Sequence, residues 1–150
     1  MFKRKTPWLL VLVWMGLIFF LSSQQAADSN QLSAGITKFI MDLISGIFPG
    51  LSPQVQWLNH IVRKNAHFIA YFVLGLLHIN ALVLNGKKSR KAFLMALAIS
   101  FLYAVSDEFH QTFVPGRSGE LRDVMIDTAG ALTGIGAYML IVMRIRKDKI

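Results

Sequence analysis

A polar stretch separates two strongly apolar runs in the second half of the chain: residues Ser106–Gly130 read SDEFHQTFVPGRSGELRDVMIDTAG. At its centre, the segment Val114-Pro115-Gly116-Arg117 has Pro and Gly at positions that reverse the direction of the chain. Ionisable side chains this close to a hydrocarbon region are costly unless they are paired or hydrated. The stretch therefore predicts two membrane-spanning helices joined by a turn that carries a functional site.

The composition of the 150-residue chain indicates a membrane protein. Hydrophobic residues make up 54% of the sequence, too many for an ordinary soluble domain of this size. The net charge is +8, but most Lys and Arg lie in three short clusters beside apolar runs: Lys3–Lys5, Lys87–Lys91 and Arg144–Lys149. Such clusters flank membrane spans and argue against nucleic acid as a partner. The sequence contains no cysteine, which excludes a disulfide framework and thiolate chemistry.

The apolar runs predict an all-α fold of four transmembrane helices in a single domain over residues 1–150. Their expected bounds are about residues 7–24, 64–84, 91–110 and 122–143. A basic start followed by a short apolar run also fits a cleaved signal peptide. However, Gln24 and Gln25 stand where small residues would precede a cleavage site, so we expect an uncleaved first helix.

An amphipathic helix is expected over about residues 31–48. Its apolar residues fall on one helical stripe: Leu32, Ile36, Phe39, Ile40, Leu43, Ile44, Ile47 and Phe48. Pro49-Gly50 would end this helix, and Ser52-Pro53 suits the start of the next one. We expect the helix to lie in the outer membrane interface over the ends of the spans; the alternative is a helix docked on a soluble partner.

The basic clusters also predict the orientation. In a four-span layout they share one side with a single acid, Asp148, while the other side carries five cations and seven acids. Cytoplasmic loops are the ones enriched in Lys and Arg, so both termini and the Lys87–Lys91 loop are expected in the cytoplasm. The polar stretch is then expected outside.

Ionisable residues of three spans gather at this outer end. Residues at three- and four-residue steps share a helix face. On the second span, this spacing places on one face His60, Arg63, His67 and Tyr71. On the third span, one face carries Tyr103, Asp107 and His110, and the next face carries Glu108 and Gln111. On the fourth span, Asp123 and Asp127 are one turn apart above Gly130 and Gly134. This small-xxx-small step predicts a close helix approach that draws both carboxylates inward. His78, deeper in the second span, is expected to be a hydrogen-bonded packing residue.

A metal site is one alternative for this cluster. The Asp107-x-x-His110 step, with His67 and Asp127, offers the residue types of metal sites in helical bundles. Nothing in the sequence sets the number of ligands, however, and Arg63 would lie close by. From the sequence, we therefore expect that none of these residues is a metal ligand and that the protein binds no metal and no cofactor.

Two runs resemble the signature of the VanZ-like membrane proteins: RKNAHFIAYFVLGLL (Arg63–Leu77) and SDEFHQTFVPGRSGELRDVMIDTAGAL (Ser106–Leu132). Leu21-Ser22-Ser23-Gln24 is also similar to that family. The resemblance implies a bacterial cell-envelope protein in the cytoplasmic (inner) membrane, from a family whose founding member is associated with teicoplanin resistance; it implies no settled activity. By resemblance, the motif residues fall on Arg63, His67, Asp107, Glu108, His110, Gln111, Pro115, Arg117, Asp123 and Asp127.

The residues favour a site for an anionic headgroup of a membrane lipid or a lipid-linked cell-wall precursor. Arginines supply planar forks for phosphate or carboxylate, and the fourth span begins just after Ser118-Gly119, so its N-terminus points at the same place. The candidate binding residues are Arg63, Gln111, Arg117, Arg122 and Asp123.

Whether the protein is an enzyme or a non-catalytic binding protein stays open. A catalytic reading uses a histidine as general base, an acid that orients it and arginines that hold phosphate, with no nucleophile singled out. Its candidate residues are His67, Asp107, Glu108, His110 and Asp127. The other alternative is a structural network, in which Arg63 pairs with Asp123 or Asp127 and Arg117 pairs with Glu108.

Overall fold

The computed structural model describes residues 6–47 and 54–147, and within these ranges it contains helices and no strand. In chain order the helices are α1 (Thr6–Ser22), α2 (Ala26–Ile47), α3 (Val55–Leu84), α4 (Ser89–Gln111) and α5 (Leu121–Lys147). The all-α class predicted from the sequence is confirmed.

Three of these helices are long and apolar enough to cross a membrane: α3, α4 and residues Leu121–Ile141 of α5. The first expected span coincides with α1, which is strongly apolar but has only 17 residues. At 1.5 Å per residue α1 is about 26 Å long, slightly less than the hydrocarbon thickness of about 30 Å. The helices therefore support a membrane protein, while the count of four spans stays a prediction.

Two helices begin earlier than the hydropathy pattern predicts. α3 starts at Val55, before the expected span bound of about residue 64 and close to the helix start expected at Ser52-Pro53, and α2 starts at Ala26 instead of about residue 31. The added turns of α3 pack on α2, where Thr37 Oγ1 donates to Asn59 Oδ1 at 3.2 Å. These first turns of α3 are too polar to be recognised as part of an apolar run. The expected last residue of α2, Phe48, and the expected helix start at Ser52-Pro53 lie outside the described residues.

The helices α3 and α5 pack backbone against backbone, which fixes the centre of the bundle. A methyl group added at Gly130 would overlap the carbonyl oxygen of Phe68, and one added at Gly134 would overlap that of Phe72. Gly75 of α3 faces the backbone of Ala131 in the same way. The close approach predicted from the Gly130–Gly134 step is confirmed.

Side chains tie α1 and α4 to this central pair. Trp14 Nε1 of α1 donates to the carbonyl of Ala70 at 2.8 Å, and Tyr103 OH of α4 donates to the carbonyl of Met15 at 2.6 Å. Deeper in the bundle, His78 is fully buried, and its Nδ1 lies 2.9 Å from Ser100 Oγ. The packing role predicted for His78 is confirmed.

The turn between α4 and α5 closes onto the corner between α1 and α2. Arg117 N–H donates to the carbonyl of Val114 at 3.1 Å, and Gly116 has a positive φ of 76°, as the predicted reversal requires. The carbonyl of Pro115 accepts from the Ala26 N–H at 3.4 Å. The last turns of α1 and α4, the first turn of α5 and this loop form what we call the site end of the bundle.

The helix α2 presents small polar side chains to the bundle and large apolar ones to its surroundings. Ser33 and Thr37 are buried, whereas Phe39, Leu43 and Ile47 are more than half exposed. An exposed apolar stripe is what a helix in a membrane interface turns toward lipid. The arrangement agrees with the interfacial placement, which itself remains a prediction.

Candidate functional site

Asp107 of α4 is the most heavily hydrogen-bonded carboxylate at the site end among the described residues. Ser22 Oγ of α1 donates to its Oδ1 at 2.5 Å. Tyr71 OH of α3 and Gln111 Nε2 donate to its Oδ2, at 3.5 Å and 3.4 Å. Asp107 is only 2% exposed, so these polar groups replace the water that a carboxylate would otherwise need. Side chains from three helices thus fix its position.

Asp127 of α5 is buried even more completely but lacks such support. It is 0% exposed, and neither carboxylate oxygen has a hydrogen-bond partner in the described part of the chain. The imidazole of His67 is close to it, with Nδ1 3.6 Å from Asp127 Oδ1. One potential ligand atom each from His67, Asp107 and Asp127 lie within 4.8 Å of one another. The structure therefore brings together three of the five predicted catalytic residues.

Arg117 reaches from the α4–α5 loop to the C-terminal end of α1. Its Nε donates to the carbonyl of Gln24 at 2.9 Å, and its Nη2 donates to that of Leu21 at 3.4 Å. Its Nη1 donates to Gln111 Oε1 at 3.3 Å. Burial lowers the pKa of the Arg117 guanidinium, the charge of Arg63 lowers that pKa further, and Asp107 and Glu108 act in the opposite direction. A bound anion would relieve both unfavourable effects.

Arg63 of α3 has no hydrogen bond or ion pair with the side chain of any described residue, although it is partly buried. Of the two acids expected as its partners, Asp123 instead pairs with Lys64, whose Nζ also lies 3.7 Å from Glu120 Oε2, and Asp127 lies beside His67. Of the expected ion pairs, neither Arg63 with an acid nor Arg117 with Glu108 forms among the described residues. The two guanidinium groups are therefore not neutralised by carboxylates in contact with them.

Two clefts meet at these arginines. The apolar cleft, of about 180 Å³, lies between α1, α2 and α3, and is lined mainly by aliphatic side chains such as Ile18, Ile36 and Val62. The polar cleft, of about 50 Å³, lies under the α4–α5 loop and is lined by charged and amide side chains, among them Arg63, His67, Gln111, Arg117, Glu120 and Asp123. Arg63, His67 and Arg117 line both clefts, so an apolar wall and a cationic mouth adjoin.

Three predicted site residues lie apart from this junction. The ring of His110 packs on Phe19, with ring centroids 4.5 Å apart, and lines neither cleft. Glu108 is buried, and its Oε2 accepts the Glu120 N–H at 2.9 Å. This bond occupies an N–H at the start of α5, so the arginines are better placed than the helix N-terminus to receive an anion. Arg122 is exposed and lines neither cleft.

Two residues that shape the site were not singled out by sequence reasoning. Ser22 donates a hydrogen bond to Asp107. It belongs to the Leu21-Ser22-Ser23-Gln24 motif, which was noted as a family resemblance without a chemical role for any of its residues. Lys64 forms an ion pair with Asp123, which was one of the two acids expected to pair with Arg63. The sequence does not reveal whether Arg63 or Lys64 pairs with Asp123, because the partner depends on how α3 is rotated about its axis.

Spanning-length apolar helices around a buried carboxylate–imidazole cluster define a helical membrane protein with a polar site at one end of the bundle. The chain belongs to the VanZ/LLP1 family, whose model matches residues 7–142, and the resemblance found in the sequence is thereby confirmed. No curated protein and no solved structure matches the chain. Family membership and the apolar helices support a membrane protein of the cell envelope that is linked to resistance.

Proposed function

We propose that this protein binds the anionic headgroup of a membrane lipid or a lipid-linked cell-wall precursor where the apolar and polar clefts meet. The site end would face the extracytoplasmic side of the bacterial inner membrane, with both termini in the cytoplasm. One observation carries the proposal. Arg63 and Arg117 lie together at the mouth of an apolar cleft, and no described carboxylate forms an ion pair with either.

The chemistry of the two clefts is complementary to an amphiphile. The aliphatic wall of the apolar cleft would hold the first carbons of an acyl or polyprenyl chain, because burying them there removes them from contact with polar groups. Arg63 would hold the phosphate through its fork of paired donors. Arg117, whose three nitrogens each already donate one hydrogen bond, would add its charge and its remaining N–H groups. Across the polar cleft, Glu120 and Asp123 could accept hydrogen bonds from headgroup hydroxyls.

The structural-network alternative is less well supported. It requires Arg63 and Arg117 to be neutralised by acids of the site end. Asp123 pairs with Lys64, one oxygen of Glu108 accepts a backbone N–H, and Asp127 forms no ion pair with any described arginine. None of the expected arginine–acid pairs therefore forms among the described residues. The two arginines therefore carry charge that an external anion can compensate.

Chemistry on the bound headgroup would be an extension of binding. His67 lines both clefts and could act as a general base, with Asp127 beside its Nδ1 at 3.6 Å. The attacking group would be water or a substrate hydroxyl, which would give its proton to His67. Glu108 and His110 would act on the packing of the site end instead of on the ligand.

Lipid retention by purified protein tests the binding proposal. The protein in detergent is incubated with phosphatidylglycerol, a polyprenyl phosphate or phosphatidylcholine, and bound lipid is counted by native mass spectrometry. We expect the two anionic lipids to be retained and phosphatidylcholine to be lost. Arg63→Gln should weaken retention about tenfold, the loss of roughly one charge-assisted contact. Arg90→Gln, which removes the same charge at the opposite end of the bundle, should leave retention unchanged.

The comparison between the lipids separates the two sources of the headgroup. Preference for the polyprenyl phosphate would assign the site to a cell-wall precursor, and preference for phosphatidylglycerol would assign it to a membrane lipid. Equal retention by the wild type and Arg63→Gln, or equal retention of phosphatidylcholine, would refute an anion site at this junction.

A further inference from the structure

Three ligand-capable side chains from three different helices converge behind the arginines: His67 of α3, Asp107 of α4 and Asp127 of α5. One potential ligand atom of each lies within 4.8 Å of the other two. An ion at the centre of such a triangle would be no more than about 2.8 Å from each atom, and zinc bonds to nitrogen and oxygen are about 2.0–2.2 Å long. Side-chain movements of less than about 1 Å would therefore complete three bonds.

The unsatisfied state of Asp127 is the independent observation that points to a ligand. Its carboxylate is completely buried, and neither oxygen has a hydrogen-bond partner among the described residues. The 3.6 Å separation from His67 Nδ1 is too long for a hydrogen bond. No described Lys or Arg forms an ion pair with Asp127 or with Asp107. Two buried carboxylates thus lie beside one imidazole, which can supply at most one positive charge for the two of them.

We propose that His67, Asp107 and Asp127 bind a divalent transition-metal ion of the Zn²⁺, Mn²⁺ or Fe²⁺ class. One imidazole and two carboxylates combine the ligand types that these ions accept, and oxygen-only ligand sets would instead favour Mg²⁺ or Ca²⁺. The ligand set is fixed by the fold, which is what the sequence alone left open. It contains His67 in place of His110, so the Asp107-x-x-His110 pair is not the metal-binding element.

The surroundings of Asp107 fit a metal-bound carboxylate. Ser22 Oγ and Tyr71 OH donate to its two oxygens, and such outer hydrogen bonds orient carboxylate ligands in metal sites. Three protein ligands leave coordination positions open. His67 lines both clefts, so an open position would face the place where Arg63 and Arg117 would hold an anion. The metal site does not require the lipid proposal to be correct.

Metal binding is measured on the full chain in detergent, purified through a tag without histidines and freed of metal with a chelator. Zn²⁺ or Mn²⁺ is titrated, the melting temperature is recorded, and the metal content is determined by elemental analysis after desalting. We expect about one ion per chain and a higher melting temperature with metal. Asp127→Asn and His67→Ala should each weaken binding more than tenfold. His60→Ala, which removes an exposed imidazole from the same helix, should bind like the wild type.

A milder variant guards against loss of fold. Ser22→Ala keeps all three ligands and removes only the hydroxyl that orients Asp107, so affinity should fall about 10–100-fold, the range found for outer partners of metal ligands. His110→Ala should bind metal normally. The proposal is overturned if the wild type retains no ion after desalting. It is also overturned if Asp127→Asn, or Ser22→Ala where Asp127→Asn does not fold, binds as the wild type does.

Discussion

Lys64 forms the ion pair with Asp123 at the site end, and the preceding residue, Arg63, does not. The pair joins α3 to α5, with only 12% of the Lys64 side chain and 14% of the Asp123 side chain exposed. It leaves the Arg63 guanidinium facing the clefts. Two adjacent cations therefore have different surroundings: Lys64 pairs with an acid of another helix, and Arg63 has no ion pair among the described residues.

The division between these two cations predicts different effects on stability. Lys64→Met leaves a nearly buried Asp123 without its partner, so unfolding should become easier by about 1–3 kcal/mol. Arg63→Met removes no ion pair and should change the melting temperature much less. Thermal unfolding of both variants in the same detergent makes the comparison. Equal losses would show that Arg63 also neutralises an acid.

Arg117→Lys should affect both the fold and function. A lysine cannot reproduce the fork that reaches Gln24, Leu21 and Gln111 at once. Losing charge-assisted hydrogen bonds of this kind should cost about 1.5–3 kcal/mol, measured by thermal unfolding. Arg122→Lys, at an exposed position, serves as the control. A lowered melting temperature with unchanged teicoplanin tolerance in cells would leave Arg117 as a structural residue and remove it from the anion site.

The contact between α5 and α3 predicts the outcome of two glycine substitutions in the same helix. Gly134→Ala places a methyl group against the backbone of Phe72, so we expect a destabilisation of about 1–3 kcal/mol from overpacking. Gly136→Ala meets no atom within 4 Å and should be neutral or stabilising by up to about 1 kcal/mol, because alanine favours helix. The melting temperatures of the two variants should therefore shift in opposite directions. Similar shifts would mean that the helices are not in contact at this point.

The orientation can be tested with single cysteines, because the chain has none of its own. Lys88→Cys and Ser118→Cys introduce thiols at exposed positions on opposite ends of the bundle. An impermeant maleimide applied to intact cells should label position 118 and leave position 88 unlabelled until the membrane is permeabilised. Labelling of position 88 alone would place the site end in the cytoplasm.

The sequence predicts the helices well because their signals are local. Apolar runs mark the three long helices, Pro115 and Gly116 mark the reversal, and the spacing of Gly130 and Gly134 predicts the contact with α3. Each of these signals lies within one contiguous stretch of the sequence. The turns of α3 before residue 64 lie outside the expected span and were indicated only by Ser52-Pro53, because contact with α2 and not hydrophobicity stabilises them.

The partners within the site could not be predicted, because they depend on how each helix is rotated about its axis. Asp107 and His110 share a helical face, yet Asp107 lies among Ser22, Tyr71 and Gln111 while the ring of His110 stacks on Phe19. Small differences in side-chain direction separate them. Asp123 pairs with Lys64 and not with Arg63 for the same reason, because the rotation of α3 decides which of the two side chains points toward α5.

The glycine contacts between α3 and α5 also bear on how the site can change during evolution. Phe68 follows His67 directly, and Gly130 lies one turn after Asp127, so the point of backbone contact is beside both residues. The spacing of the two helices beside them is therefore limited by a contact between main-chain atoms, which side-chain substitutions elsewhere do not remove. The opposite wall of the apolar cleft is formed by Ser29, Ser33 and Ile36 of α2. If the clefts bind a ligand as proposed, substitutions in α2 would change its selectivity while the charged groups of α3 and α5 keep their spacing.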